Sequence, residues 1–172
     1  MDRSPTDRTE TLDTGGTVDS GQFRTTLGHF ASGVTVVTAA SGAGPVGFTC
    51  QSFTSLSLDP PLVALAPGKA STSWPRIREA GHFCVNVLAE NQEELCLTFA
   101  SSGADKFAGV AWTPGPGGAP RLPGALAYIE CALQGAYDAG DHELVIGAVS
   151  AVETRPGKPL LYYRGAFNRL GV

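Results

Sequence analysis

The chain predicts an all-β fold, an antiparallel β-barrel with a few short helices, on three observations. Gly and Pro make up 34 of its 172 residues and follow no fixed period. That punctuation suits many short strands joined by turns and excludes a collagen-like repeat. Between the turns lie runs rich in β-branched residues, such as Val34 to Ala40. Late in the chain, two long runs are separated only by Asp138-Ala139-Gly140-Asp141, a hairpin signal.

The elements follow in order. Met1 to Asp19 is polar, with Leu12 and Val18 as its only aliphatics after the start, and is expected to be a disordered tail. Residues 20–172 form one domain. Phe23, Leu27 and Phe30 fall on one face of a helix that Asp19 or Ser20 can cap and Gly33 can end. Val34 to Ala40 reads as a strand, Ser41 to Pro45 as a turn, and Val46 to Ser55 as a second strand. Leu62 to Ala66 is a third, entered through Asp59-Pro60-Pro61. Ser71 to Ala80 is a short helix stopped by Gly81. Phe83 to Leu88 is a strand apolar on both faces. Asn91 and Glu94 start a helix in which Leu95 and Phe99 pair. Residues 113–124, rich in Pro and Gly, are a loop. Leu126 to Tyr137 carries Ile129, Cys131 and Leu133 on one face, His142 to Val152 returns, and Leu160 to Arg164 is the last strand.

Composition narrows the function. Apolar residues are 42% of the chain and charged residues 16%, with a net charge of −4. No Lys/Arg cluster occurs, so nucleic acid and anionic lipid are poor partners. Cys50, Cys84, Cys96 and Cys131 form no C-x-x-C pair and no His stands at zinc-finger spacing, so no metal is expected. They read as buried reduced thiols of a cytoplasmic protein. No apolar run is long enough to span a membrane. Nine arginines against three lysines, with many Ala and Gly, suggest a GC-rich bacterial genome.

Several motifs are set aside. Gly42-Ala43-Gly44-Pro45-Val46-Gly47 matches G-x-G-x-x-G, but Pro45 interrupts it and a strand follows where a Rossmann unit needs a helix. There is no nucleophile elbow and no Walker loop. His29 and His82 read as structural. His142 follows Gly140-Asp141 at a hairpin mouth, where side chains reach a cleft.

Two polar clusters remain. Thr49 to Ser57 holds five hydroxyls and one amide in nine residues. It is either a strand face satisfied by water or a row of donors for a polar planar ligand. Lys69, Ser71, Thr72 and Ser73 stand at a helix start and suit an anion. Together they fit ring and phosphate recognition for one nucleotide-like cofactor.

With these segments in place, the chain resembles the flavin reductases that supply reduced flavin to two-component monooxygenases. The likeness spans about Phe23 to Leu170 and rests on six blocks in order. They are Gly33 to Thr38, Gly47 to Ser57 with Asp59 to Leu62, Phe83 to Leu88, Phe99 with Asp105 to Gly109, Gly140 to His142, and Tyr163 to Gly165. The wording at Cys50 to Ser52 and Phe83 to Asn86 is nearest to reductases serving hydroxylases of phenolic, steroid or natural-product substrates.

The resemblance implies a split (Greek-key) antiparallel β-barrel of the FMN-binding type, a homodimer binding FAD or FMN between subunits, with NADH stacked on the flavin. It implies that Gly47, Phe48, Thr49, Gln51, Ser52 and Ser55 line the ring and ribityl chain. Ala66, Pro67, Gly68, Thr72 and Ser73 would hold the phosphate end, with Phe99 and Lys106 near the flavin tail. Asp141 and His142 would meet the nicotinamide, His142 as the catalytic residue, and Arg164 would be a C-terminal site residue. Gly68 departs from the larger polar residue common at that place. The implied activity is NADH-dependent flavin reduction feeding a separate monooxygenase. The alternatives are a split-barrel flavoprotein that retains its flavin, like the pyridoxamine-phosphate oxidases, and a non-enzymatic flavin-binding barrel.

Overall fold

The computed structural model describes residues 18–103 and 105–171. The expected tail therefore lies, but for Val18 and Asp19, outside the described residues. Three helices and twelve strands follow. They are α1 (Ser20–Leu27), β1 (Ser32–Gly33), β2 (Thr35–Ser41), β3 (Gly44–Cys50), β4 (Thr54–Leu58) and β5 (Pro61–Leu65). Next come α2 (Trp74–Ala80), β6 (His82–Val87), α3 (Glu93–Ala100), β7 (Thr113–Pro114) and β8 (Pro120–Arg121). Last are β9 (Ala127–Ala139), β10 (His142–Thr154), β11 (Leu161–Tyr163) and β12 (Ala166–Asn168).

Seven strands form one antiparallel sheet in the order β3-β2-β6-β9-β10-β5-β4. Its edges, β3 and β4, are consecutive in the chain, joined by Gln51–Phe53, yet they do not pair with each other. The sheet therefore curls into a barrel that stays split at one seam, as the resemblance implied. At the seam the Ser52 hydroxyl accepts from the Ala66 N–H at 2.9 Å and donates to the Ala66 carbonyl at 3.0 Å. The strand expected over Val46 to Ser55 is thus two strands broken by the crossing.

Alternation along the strands sorts the core. Val37, Val46, Phe48, Val63, Leu65, Phe83 and Val145 point into the barrel. Trp74 and Ile77 of α2 pack among them and close one end. Side chains such as Val36 point to the other face, where Cys96 and Phe99 of α3, Phe107, Leu122 and Leu160 cover it. Gly47 belongs to this packing: a Cβ there would lie 2.9 Å from the Phe99 ring.

The Pro/Gly-rich loop contains a small hairpin, β7–β8, and it is pinned down. The Asn86 amide donates to the Val36 carbonyl at 3.0 Å and its oxygen accepts from the Leu122 N–H at 2.8 Å. Beside it, Arg121 Nε donates to Oε1 of the fully buried Glu130 at 2.8 Å.

Elsewhere the boundaries differ from expectation for local reasons. α1 ends at Gly28, six residues after its Asp19-capped N–H of Gln22, and not at Gly33. α2 begins at Trp74, with Ser73 preceding it, three residues later than expected; the Ser71 hydroxyl accepts the Trp74 N–H at 3.2 Å. Gly81 ends it with φ 68°, as expected. After Leu161–Tyr163 the chain turns at Arg164-Gly165, both with positive φ, into β12, an added strand. The four cysteines are buried and free. No helix among the described residues is long and apolar enough to cross a membrane.

Candidate active site

The seam opens into a cleft of about 670 Å³. Phe48, Thr49, Gln51 and Ser52 form one wall, and Ala66, Pro67 and Gly68 form another. His142 stands over it, and Leu97, Ala100, Tyr162 and Phe167 complete it. β3 is an edge strand, so one side of its backbone has no partner strand to take its N–H and C=O groups. The cleft therefore combines flat apolar walls with unpaired backbone polar groups, the lining that suits a planar heterocycle.

Two smaller hollows continue the cleft. One, about 390 Å³, shares Phe48, Thr49, Gly68 and Ala100 with it and adds Thr72, Phe99, Ser101 and Lys106. The next, about 270 Å³, shares Thr72 and Lys106 and reaches Gly47, Ser73 and Arg76. A groove thus runs from His142 to two cations. Lys106 Nζ donates to the Phe99 carbonyl at 2.9 Å. Partial burial lowers its pKa, because the ammonium has given up water.

The sequence-predicted residues divide among these places. The ring-sized cleft takes Phe48, Thr49, Gln51, Ser52, Ala66, Pro67, Gly68 and His142. The hollows beyond take Gly47, Thr72, Ser73, Phe99 and Lys106. Ser55 lies outside the groove, in β4 opposite Val63, because the chain has already crossed the seam. Arg164 also lies outside, at the β11–β12 turn, where its N–H donates to the Gly28 carbonyl at 2.9 Å; its neighbour Gly165 lines the cleft instead. Asp141 stands behind His142.

The expected row of hydroxyl donors is largely committed to the protein. Thr49 donates to the Cys96 carbonyl at 2.6 Å, Ser52 to Ala66, and Thr54 to the Ser55 carbonyl at 3.2 Å. Ligand donors on this wall are left to the backbone and Gln51. Lys69 is likewise not the anion-side cation. It pairs with Asp138, whose carboxyl this contact holds below its usual range. Arg76 and Lys106 occupy that side, and Arg76 was not anticipated. Its only sequence signal is its place one turn after Ser73 on the same helix face. Phe167 was also missed, since β12 was not foreseen, and Tyr162 lies in the expected last strand but was not singled out for the site.

The hairpin tip that carries His142 is clamped. Gly68 and His142 form an antiparallel bridge. The Lys69 N–H donates to the Asp141 carbonyl at 2.9 Å, and the Glu143 N–H to the Pro67 carbonyl at 3.0 Å. The Glu143 carboxylate accepts from the Trp74 indole and from Arg78 Nη1, the latter at 2.9 Å. His142 Nδ1 meets Asp141 Oδ1 at 2.7 Å. Donation from Nδ1 fixes the tautomer of a neutral ring and leaves Nε2 as its acceptor on the cleft side.

Two expected results arise here. The hydrogen bond from His142, then its charge, holds the Asp141 carboxyl below its usual range. A depressed carboxyl pKa means the contact is intact above the ordinary value, about 3.9, and fades as pH falls through the lower one. NMR titration should show that lowered midpoint, and His142→Ala should return it to the ordinary range. The second concerns Gly68, which borders both the cleft and the first hollow. A Cβ there would lie 3.7 Å from His142 Nε2, ordinary contact. Gly68→Ala should bind flavin normally. Gly68→Leu should weaken flavin binding by about tenfold or more, in a fluorescence titration, with the thermal midpoint nearly unmoved.

A curled antiparallel sheet open at one seam, with an elongated groove entering that seam, defines a split-barrel protein. The sequence comparison makes this specific: residues 27–171 match the Flavin reductase like domain, and the chain belongs to the flavin reductase family. The reductase subunit HsaB of a flavin-dependent monooxygenase from Rhodococcus jostii is 51% identical over 151 residues, 87% of this chain and 77% of that protein. The FMN reductase (NADH) SmoA of Agrobacterium fabrum is 44% identical, over 88% of this chain and 86% of that one. Among solved structures, the NADH:FAD oxidoreductase of Streptomyces globisporus C-1027, in complex with NAD and FAD fragments, superposes with a TM-score of 0.84. It is 39% identical and the match covers 89% of this chain and 93% of that one.

Proposed function

We propose that the protein is an NADH-dependent flavin reductase that reduces free FAD or FMN and releases it to a separate monooxygenase. The observation that carries this reading is the groove itself: an apolar, ring-sized cleft under His142 that continues to Lys106 and Arg76. The fit is chemical as well as spatial. Neither cation has a carboxylate within 4.0 Å among the described residues, so the phosphate end of a flavin would meet two cations not already paired, with Asp105 the one carboxylate lining the same hollow.

When bound, the flavin supplies the acceptor for the hydride that dihydronicotinamide donates, so no protein nucleophile is required. The chain's own residues bind and orient. Pro67, Leu97, Ala100 and Tyr162 line the cleft with apolar surface for a ring. The unpaired edge of β3 offers fixed donors and acceptors that need no reorganisation. Asp141 fixes the His142 ring, and Nε2 offers one acceptor to whatever lies in the cleft. This side positions the nicotinamide; no proton is required of it. Thr72, Ser73 and Lys106 hold the anionic end.

His142 is half-exposed and the cleft opens widely, which favours exchange of flavin over retention. Exposed Phe23 and Leu27 of α1, with Phe30 just beyond it, support the homodimer, since a monomer seldom presents such a group. The four buried reduced thiols support a cytoplasmic setting. The test is NADH oxidation by purified protein, followed by near-ultraviolet absorbance, without flavin and with FMN or FAD. Oxidation that needs added flavin and runs for many turnovers supports the reading. Oxidation indifferent to added flavin points to a retained flavin, and none at all to a binding barrel.

A further inference from the structure

The groove does not stop at Lys106. The last hollow is lined by Thr72, Ser73, Arg76 and Lys106, with Asp105 beside them. Ser73 precedes α2, and Arg76 stands one turn later on the same face. Arg76 Nη2 donates to the Ser41 hydroxyl at 2.9 Å and to the Gly44 carbonyl at 3.3 Å, so the β2–β3 turn fixes its guanidinium. Lys106 Nζ, held by the Phe99 carbonyl, lies 3.4 Å from Ser73 Oγ. Ser73 makes no capping bond to its own helix. The one carboxylate here, Asp105, accepts the Phe107 N–H at 3.1 Å.

The charge pattern is uneven. Lys69 and Arg78, either side of Arg76 in sequence, are each paired with a carboxylate. Arg76 and Lys106, which face the same hollow, have none within 4.0 Å among the described residues. A flavin mononucleotide ends in one phosphate, which Lys106 with Thr72 can meet. A second fixed guanidinium further along has nothing to bind on such a ligand. A dinucleotide flavin carries two linked phosphates and continues beyond them.

We infer that the groove selects FAD over FMN, with Arg76 as the specificity-determining residue that holds the phosphate farther from the flavin ring. This rests on the flavin-reductase reading above and names its substrate. Arg suits the role because its guanidinium carries five donors: the turn engages Nη2 alone, which leaves Nε and Nη1 donors for a phosphate.

The test is equilibrium binding of FAD and FMN to the flavin-free protein, by calorimetry or fluorescence quenching, without NADH. The wild type should bind FAD about tenfold or more tightly than FMN, the effect of one charge-assisted bond. Arg76→Gln should bring that ratio close to one, and Arg76→Lys should retain part of it. Lys106→Gln should weaken both flavins together. Circular dichroism melts establish that each variant is folded; should Arg76→Gln not fold, the wild-type ratio and Arg76→Lys still decide. Equal binding of both flavins by the wild type, or equal loss of both in Arg76→Gln, overturns this inference alone. Failure of the wild type to bind either flavin overturns it together with the reductase reading.

Discussion

Replacing His142 with alanine is expected to lower the turnover number for NADH oxidation by about 10²-fold, the scale of a lost positioning contact. Flavin affinity should change far less, by about threefold or less. The asymmetry follows from the geometry. His142 lines the cleft from the β9–β10 hairpin tip with its side chain half-exposed, whereas the walls belong to β3 and to Ala66–Gly68. The tip is rigid without the imidazole, because its hold on the barrel is made by the backbone of Asp141 to Glu143 and by the Glu143 carboxylate. The variant therefore loses Nε2 and ring surface while keeping the cleft. His142→Asn, which keeps a polar group but no ring, should recover little. Steady-state kinetics with flavin and NADH varied separately will show it. Unchanged turnover in the alanine variant would remove His142 from the reaction.

The largest effect on stability is expected at Arg121. Glu130 is wholly buried on β9 and its Oε1 accepts from Arg121 Nε at 2.8 Å. Its Oε2 has no hydrogen bond; His82 Nε2 lies 3.8 Å from it. Arg121 also reaches Glu153 at 2.7 Å and lies over the Tyr128 ring. Arg121→Ala would leave a buried carboxylate without its main partner, a loss of about 3–5 kcal/mol. Urea unfolding should show it as a lower midpoint. Pairing Arg121→Met with Glu130→Leu should recover much of the loss, because an apolar pair of similar volume removes the stranded charge. Neither residue lines the groove, so turnover per folded molecule should hold. A shift below about 1 kcal/mol for Arg121→Ala would mean that Glu130 is neutral or solvated there.

Much of this architecture was legible in the sequence because it depends on local signals. The β9–β10 hairpin was marked by Gly140-Asp141, and β6 by its unbroken apolar run. What escaped depends on contacts distant in sequence. The seam at Gln51–Phe53 looks like continuous strand until Ser52 finds Ala66. The hydroxyls of Thr49 and Ser52 look like ligand donors until those distant backbone partners appear. Lys69 looks like the phosphate cation until β9 brings Asp138 beside it. Of the apolar face expected on α1, Phe23 and Leu27 lie on the helix and Phe30 falls beyond its end; all three face outward in the single chain, which periodicity alone does not reveal. The site was legible as segments. Their order along the groove, and the arrival of Arg76 at its far end, needed the fold.

Whether reduced flavin leaves this protein for use elsewhere is tested by placing the protein, NADH and FAD anaerobically on one side of a membrane that retains protein and passes flavin. A flavin-dependent monooxygenase with its substrate is added only on the far side, and oxygen is then admitted there. Hydroxylated product is expected across the membrane, rising with added flavin. Full NADH oxidation confined to the near side, with product formed only when the two proteins share a compartment, would contradict it.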